Sequence, residues 1–315
     1  MKRTLGIIVL PIAMGIYMVQ VNKIGARQYT PVSIGRIEED VRILTAVHPP
    51  RNYRNVQSLD KTADYITAEF KKMKCRVDFQ RFVANEKEYR NIVCSFGPEQ
   101  GERIIVGAHY DVYGDQPGAD DNASGVAGLL EVGRLLAGLK PSLKYRTDLV
   151  AFTLEEPIFF KTRHMGSRVY AQSLSAAGVK VRAMIALEMI GFFTDKPDSQ
   201  RYPVFFLKWK YPSVGNYIAV VGNLDQGELV EKTKGLLSKT SKVPVHSISA
   251  PSFLPGIDFS DHQSFWKYGY PAVMITDTAF YRNKNYHRET DTIDTLDFER
   301  MAEVVKGLYW VIVGL

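Results

Sequence analysis

The residues best equipped for chemistry crowd into one stretch, His109-Tyr-Asp-Val-Tyr-Gly-Asp-Gln-Pro-Gly-Ala-Asp-Asp-Asn-Ala-Ser-Gly125. It follows an apolar run, Ile104–Ala108, that reads as a buried strand, and leads into Val126–Leu136, which has helical period. Two later apolar runs also stop on acid: Asp148–Leu154 meets Glu155-Glu156-Pro157, and Val181–Leu187 meets Glu188. Packing does not require this acid, and adjacent carboxylates at the end of a core strand repel unless a cation or shared proton relieves them. Nitrogen and oxygen donors without thiolate suit zinc, with manganese or cobalt as substitutes. The His109-x-Asp111 spacing lets the aspartate accept the second ring N–H of a metal-bound imidazole.

Those donors need elements to hold them. Periodicity predicts amphipathic helices over 34–48 and 58–73, the second capped by Ser58 with Ala63, Ile66, Phe70 and Met73 on one face. Cys75–Val83 and Tyr89–Phe96 read as paired strands across the polar turn 84–88. Pro117-Gly118 forces a turn, and Asn122 or Ser124 can cap the following helix. Further on come a helix over 165–174, a strand at Tyr217–Val221, a helix over 226–237, a last core strand at Ala272–Thr276 and a closing helix at Phe298–Val313. Strands alternating with helices imply a mostly parallel sheet covered on both faces. The carboxyl ends of such strands lie side by side, so His109, Asp121, Glu155, Glu156 and Glu188 converge on one cleft.

The 315 residues, 45% apolar and 23% charged, can bury a full core. Without internal repeat or long linker, 34–315 reads as a single catalytic domain, and 1–33 as a targeting segment with a short linker. Lys2-Arg3 precede an uncharged, mostly apolar run, residues 4–21, at the lower limit for spanning a bilayer. No small-x-small cleavage site follows, so an uncleaved signal anchor is preferred to a removed signal peptide, with the rest of the chain on the extracytoplasmic side. The net charge of +6 is spread out; its densest group, Lys232, Lys234, Lys239 and Lys242, reads as a solvated helix face, and no nucleic-acid motif accompanies it. Cys75 and Cys94 are placed either for a disulfide or for ordinary burial.

His109-x-Asp111, Gly118-Ala-Asp-Asp-Asn-Ala-Ser-Gly125, Leu154-Glu-Glu156, Ser260-Asp-His262, Gly269-Tyr-Pro271 and Tyr286-His287 together, in this order over residues 40–315, resemble the M28 zinc aminopeptidases. The resemblance implies a three-layer α/β/α sandwich around a mixed, mainly parallel sheet. It implies that His109 binds one zinc, Asp121 bridges two, and Glu156, Glu188 and His287 complete the ligands. Glu155 is then the general base, Tyr286 steadies the developing oxyanion, and Asp111 and Asp261 lie just outside the ligands, as does His262. A cis peptide at Asp121–Asn122 is also implied. The family usually has aspartate where this chain has Glu188; the extra methylene moves the carboxylate by about 1.5 Å, large against a ligand tolerance of about 0.2 Å. The expected reaction is hydrolysis of the first bond of a peptide with a free N-terminus, using two zinc ions or one. Its rivals are a glutaminyl-cyclase-like single-zinc acyltransferase and a non-catalytic binding module on the same fold. Oligomeric state is left open. His48, His164 and His246 lack acidic neighbours at ligand spacing and read as structural or exposed. Arg163, Arg282, Phe159, Phe160, Phe192, Phe193, Phe280 and Tyr281 either line the cleft or pack beneath it.

Overall fold

The computed structural model describes residues 30–315, so the expected membrane segment at 4–21 lies outside the described residues. Among the described residues, no helix is long and apolar enough to cross a membrane. Residues 32–315 form one compact unit.

Its centre is an eight-stranded sheet in the order β1-β2-β4-β3-β5-β8-β6-β7. The strands are β1 (Arg76–Ala84), β2 (Lys87–Phe96), β3 (Arg103–His109), β4 (Arg146–Phe152), β5 (Val181–Glu188), β6 (Ile218–Gly222), β7 (Val245–Ser249) and β8 (Ala272–Thr276). The middle, β4-β3-β5-β8, is parallel; β2 and β6 join it antiparallel, β1 pairs antiparallel with β2 and β7 parallel with β6, which makes the sheet mixed as expected. Alternation along the strands feeds two cores. Leu149, Ala151, Ile185, Leu187, Val273 and Ile275 face one side, with α1 (Ile34–Thr45), α2 (Val56–Lys72), α3 (Gly125–Leu139), α5 (Gly227–Ser238) and α7 (Phe298–Gly314). Val150, Phe152, Met184, Ala186 and Met274 face the other, under α4 (Gly166–Ala176) and α6 (His262–Trp266). Those are the three layers that the sequence implied.

Some boundaries differ from expectation. Ser58 does not cap α2: Asn55 does so by position, Ser58 N–H and Leu59 N–H donate to the Asn55 carbonyl, and Ser58 sits inside the first turn. The β1–β2 turn is tighter than 84–88, because Asn85 and Glu86 both adopt left-handed backbone and close it in two residues. β7 and α6 were not anticipated: β7, unlike the equally short but fully buried β6 and β8, is only half-buried and has no apolar run, and α6 is little more than one turn. Cys75 and Cys94 form a disulfide at the open end of the β1–β2 hairpin.

Candidate metal centre

His109 is the last residue of β3, Glu155 and Glu156 follow β4, and Glu188 ends β5, so three adjacent parallel strands deliver these groups to one edge of the sheet. Asp121 arrives from the turn Ala119–Ser124 that starts α3, and His287 from the loop after β8. The chain turns sharply at each place: Leu154, Met189 and His287 hold left-handed backbone with φ of 57°, 49° and 56°. Such conformations cost on the order of 1–3 kcal/mol each for non-glycine residues and concentrate at functional sites. The Asp121–Asn122 peptide is cis.

Two sets of ligand atoms lie close enough to share an ion: His109, Asp121 and Glu188, and Asp121, Glu156 and His287. Asp121 belongs to both, with Oδ1 3.4 Å from His109 Nε2 and Oδ2 3.2 Å from His287 Nε2. Glu156 Oε2 is 3.3 Å from His287 Nε2, and Glu188 Oε2 is 3.4 Å from His109 Nε2. A third set joins His109, Glu155 and Glu156. His109 Nε2, Asp121 Oδ1, Glu156 Oε1 and His287 Nε2 are buried without a hydrogen bond. Each such orphan costs about 1–3 kcal/mol, and all four belong to residues of the same ligand sets, an arrangement that a cation accounts for. The donor set is imidazole and carboxylate alone, as zinc accepts.

The electrostatics agree. Burial and the Asp121 charge push Glu156 up to about 7. Burial raises Glu155 as well; His109 opposes this, and the Glu188 and Glu156 charges add to it. Burial works against a charged His287, yet Asp121 and Glu156 outweigh it and raise its pKa to about 10. Burial works likewise against a charged His109, and the carboxylates, Glu188 and Glu155 first, raise its pKa against it.

The supports are largely backbone-directed. Asp111 was expected to accept the second His109 N–H through its carboxylate. That carboxylate instead accepts the main-chain N–H groups of Glu155 and Glu156, both at 3.1 Å, while His109 Nδ1 faces the Asp111 main-chain carbonyl at 3.2 Å. Its Oδ1 remains 3.6 Å from the ring nitrogen. Asp291 fixes the other side, accepting N–H from Asp120 and Asp121 at 3.0 Å each. Arg51, fully buried, donates to the carbonyls of Leu44, Tyr110, Pro117 and Gly118 and holds the loop that carries Asp121. Burial lowers its pKa to about 10 against the pull of Asp291 and Asp121, which leaves it cationic at neutral pH. Gly118 is required there: its φ is 60°, and a Cβ would lie 2.3 Å from the Asp121 carbonyl oxygen. Asn122 Oδ1 accepts from Gly125 N–H, as expected of a cap, and also from Met189 N–H, tying α3 to the end of β5.

Tyr113 and Tyr286 stack on the His287 ring, with centroids 4.2 and 3.8 Å away. Tyr113 was not singled out in the sequence, nor were Arg51 and Asp291. Asp261 is buried beside the cluster with neither carboxylate oxygen hydrogen-bonded, and burial raises its pKa to about 7. His262 stays outside the ligand sets; its Nε2 pairs with the Ile257 carbonyl at 2.8 Å. His48 is exposed, and His164 and His246 are half-buried away from the cluster. Arg282 packs beneath the cleft rather than lining it, donating to the carbonyls of Gly215 and Tyr217. Phe159 is buried against Tyr53 and Tyr89, and Phe193 is buried too, whereas Phe280 and Tyr281 do line the cleft. That cleft runs from Glu188 and Tyr286 past Tyr202, Leu207, Tyr217 and Met274, and holds about 820 Å³ of space with its open mouth included.

A mixed sheet between helical layers, with imidazole and carboxylate donors at the ends of its parallel strands, is the α/β architecture of the zinc aminopeptidases. The chain belongs to peptidase family M28, whose sequence profile matches residues 91–310. Over 281 residues it is 46% identical to the uncharacterized protein YfbL of Escherichia coli (strain K12), covering 87% of this chain and 85% of that one. A probable leucine aminopeptidase of Trichophyton verrucosum (strain HKI 0517) is 28% identical over 71% of this chain, which spans 56% of that relative's length. The LapA aminopeptidase of Legionella pneumophila shares the fold with a TM-score of 0.73 at 20% identity, over 93% of this chain and 74% of that one. A glutaminyl cyclase of Bacteroides thetaiotaomicron shares it with a TM-score of 0.68 at 18% identity, over 91% of this chain and all of that one. By family the chain is a metallo-aminopeptidase, and M28 aminopeptidases depend on zinc.

Proposed function

We propose that the chain removes the first residue from peptides with a free N-terminus, using two zinc ions. The carrying observation is the pair of ligand sets that share Asp121. His109, Asp121 and Glu188 would hold one ion, and Asp121, Glu156 and His287 the other. When bound, zinc lowers the pKa of water towards about 7 and polarises a carbonyl. Glu155 takes the proton from the attacking water and returns it to the departing amine. Tyr286, whose pKa burial raises so that it keeps its proton, donates to the carbonyl oxygen as that oxygen gains charge. Asp111 and Asp291 set the positions of Glu155, Glu156 and Asp121 through the main chain.

Tyrosine, leucine and methionine walls suit a bulky apolar side chain on the leaving residue. A panel of aminoacyl-amides given to the zinc-loaded protein is expected to rank leucine and phenylalanine at least tenfold in kcat/KM above alanine, glutamate and lysine, in line with about 1–3 kcal/mol per apolar contact group. No release of amino acid from any substrate would remove the aminopeptidase reading. One observation favours a second reading: Ser260 donates to Glu188 Oε2 at 2.7 Å, so Glu188 can serve a hydrogen-bond network as well as a metal. A single zinc per chain, with pyroglutamate formed from glutaminyl peptides, would establish the cyclase reaction instead.

We also place the catalytic unit outside the cytoplasm, held by the apolar segment 4–21. The Cys75–Cys94 disulfide supports an oxidising compartment. With a sequence separation of 19, its loss in C75S/C94S is expected to cost about 3 kcal/mol of unfolding free energy. In intact cells the two thiols should resist alkylation until reduced; free thiols there would overturn the placement.

A further inference from the structure

Two segments wall the apolar cleft and turn aromatic side chains away from it. In 201–211, Leu207 is buried and lines the cleft, while Phe205, Phe206 and Trp209 are 66%, 54% and 78% exposed. In 250–257, Leu254, Pro255 and Ile257 line the cleft, while Phe253 is 86% exposed. Tyr281 holds the two segments together: its carbonyl accepts from Arg201 N–H at 2.8 Å, and its hydroxyl donates to the Pro255 carbonyl at 2.9 Å. The mouth of the cleft is thus rimmed by large aromatics that none of the described residues covers. Single exposed apolar residues are ordinary, but four aromatics on two joined segments form a patch of the kind that marks contact with another phase or molecule.

Charge selects the occupant. From Ser199 to Gly215 there are three cations, the exposed Arg201, Lys208 and Lys210, and no Asp or Glu; from Val245 to Ile257 there is no acid either. The chain as a whole is nearly balanced, 40 Lys and Arg against 34 Asp and Glu; along the rim the acids stand at its ends, Asp198 and Asp258, the latter paired with Lys161, and at Glu231, which accepts from the Ser247 hydroxyl, so the exposed Arg201, Lys208 and Lys210 leave the aromatic face cationic. Phe and Trp alternating with Lys is the chemistry that sits at a bilayer surface, with the rings among headgroups and acyl ends and the ammonium groups on lipid phosphate. A second copy of the chain fits worse, since a symmetric contact would set this cationic face against an identical cationic face.

We infer that this rim docks on an anionic lipid surface, with the mouth of the cleft turned towards the bilayer. Attachment of this kind is peripheral and separate from any anchor near the start of the chain. The test uses residues 30–315, which contain all eight strands and both cores. Co-sedimentation is measured with vesicles of phosphatidylcholine and of equal parts phosphatidylcholine and phosphatidylglycerol. The protein is expected to bind the anionic vesicles, with binding weakened by salt and lowered roughly tenfold in F205S/W209S. K208E/K210E should lose the preference for anionic over neutral lipid. In the unaltered protein, brominated lipid should quench the exposed Trp209, an observation that stands even if a variant misfolds. Absence of binding to either vesicle, or equal binding by both variants, would overturn the inference. So would dimerisation in free solution that F205S/W209S abolishes, which would assign the rim to a second copy. Hydrolysis of a small aminoacyl-amide should be the same in F205S/W209S, because neither side chain lines the cleft.

Discussion

Replacing Glu155 with Gln is expected to lower kcat by about 10²–10⁴-fold, the usual worth of a positioned proton carrier, while zinc content stays normal. The side chains are isosteric, and Asp111 holds residue 155 through its main-chain N–H, which the substitution keeps. The variant therefore removes a proton acceptor without moving the loop. The metal count matters because Glu155 also falls in a ligand set with His109 and Glu156, its Oε2 lying 3.9 Å from His109 Nε2. Glu188 approaches the same nitrogen more closely, at 3.4 Å. If E155Q loses zinc and E188Q keeps it, the two glutamates have exchanged roles; an active, zinc-loaded E155Q would end Glu155's claim to the proton.

Replacing Asp121 with Asn should be more severe for metal than any other single change. Asp121 is the only residue common to the two ligand sets that make up the proposed pair, so its neutralisation weakens both sites together. Zinc per chain is expected to fall well below one, and turnover to fall by about 10³-fold or more. The fold should survive, since Asp291 still accepts the main-chain N–H of residue 121. In the metal-free protein the imidazolium of His287 also loses its nearest carboxylate. Its pKa, about 10 in the native chain, should then fall but stay above the ordinary histidine value of about 6.5, because Glu156 Oε2 remains 3.3 Å away. Nuclear magnetic resonance titration of the metal-free variant reads this directly, and an unmoved His287 would show that Asp121 is not its partner.

Residue type and position made the donors legible in the sequence. Apolar runs that stop on His109, Glu155-Glu156 and Glu188 announced strand ends, and a parallel sheet leaves such ends no choice but to meet. What stayed hidden acts through the main chain. Arg51 binds carbonyl oxygens, and every residue has one, so no partner side chain marks its purpose. Asp291 likewise accepts two N–H groups some 170 positions away that any residue could offer. Asp111 was found, facing the His109 ring as expected, but its hydrogen bonds to the N–H groups of Glu155 and Glu156 were not, because spacing brings a carboxylate near a ring without showing which main-chain donors also reach it. Ser58 was mistaken for a cap because serine suits that place by composition, whereas the fold begins the helix at Val56.

The strut under the metal loop also limits how the protein can be shortened. The family profile begins at residue 91, yet Arg51 reaches the loop from forty residues earlier. Ser33 and Arg36 clasp the buried Glu131 from earlier still. A recombinant piece trimmed to the recognisable boundary would lack both clasps, along with β1 and the start of β2, and leave the carbonyls of Tyr110, Pro117 and Gly118 without their guanidinium donor. Any shortened form of the enzyme therefore has to keep Ser33 and all that follows it, well ahead of the place where its kinship becomes visible.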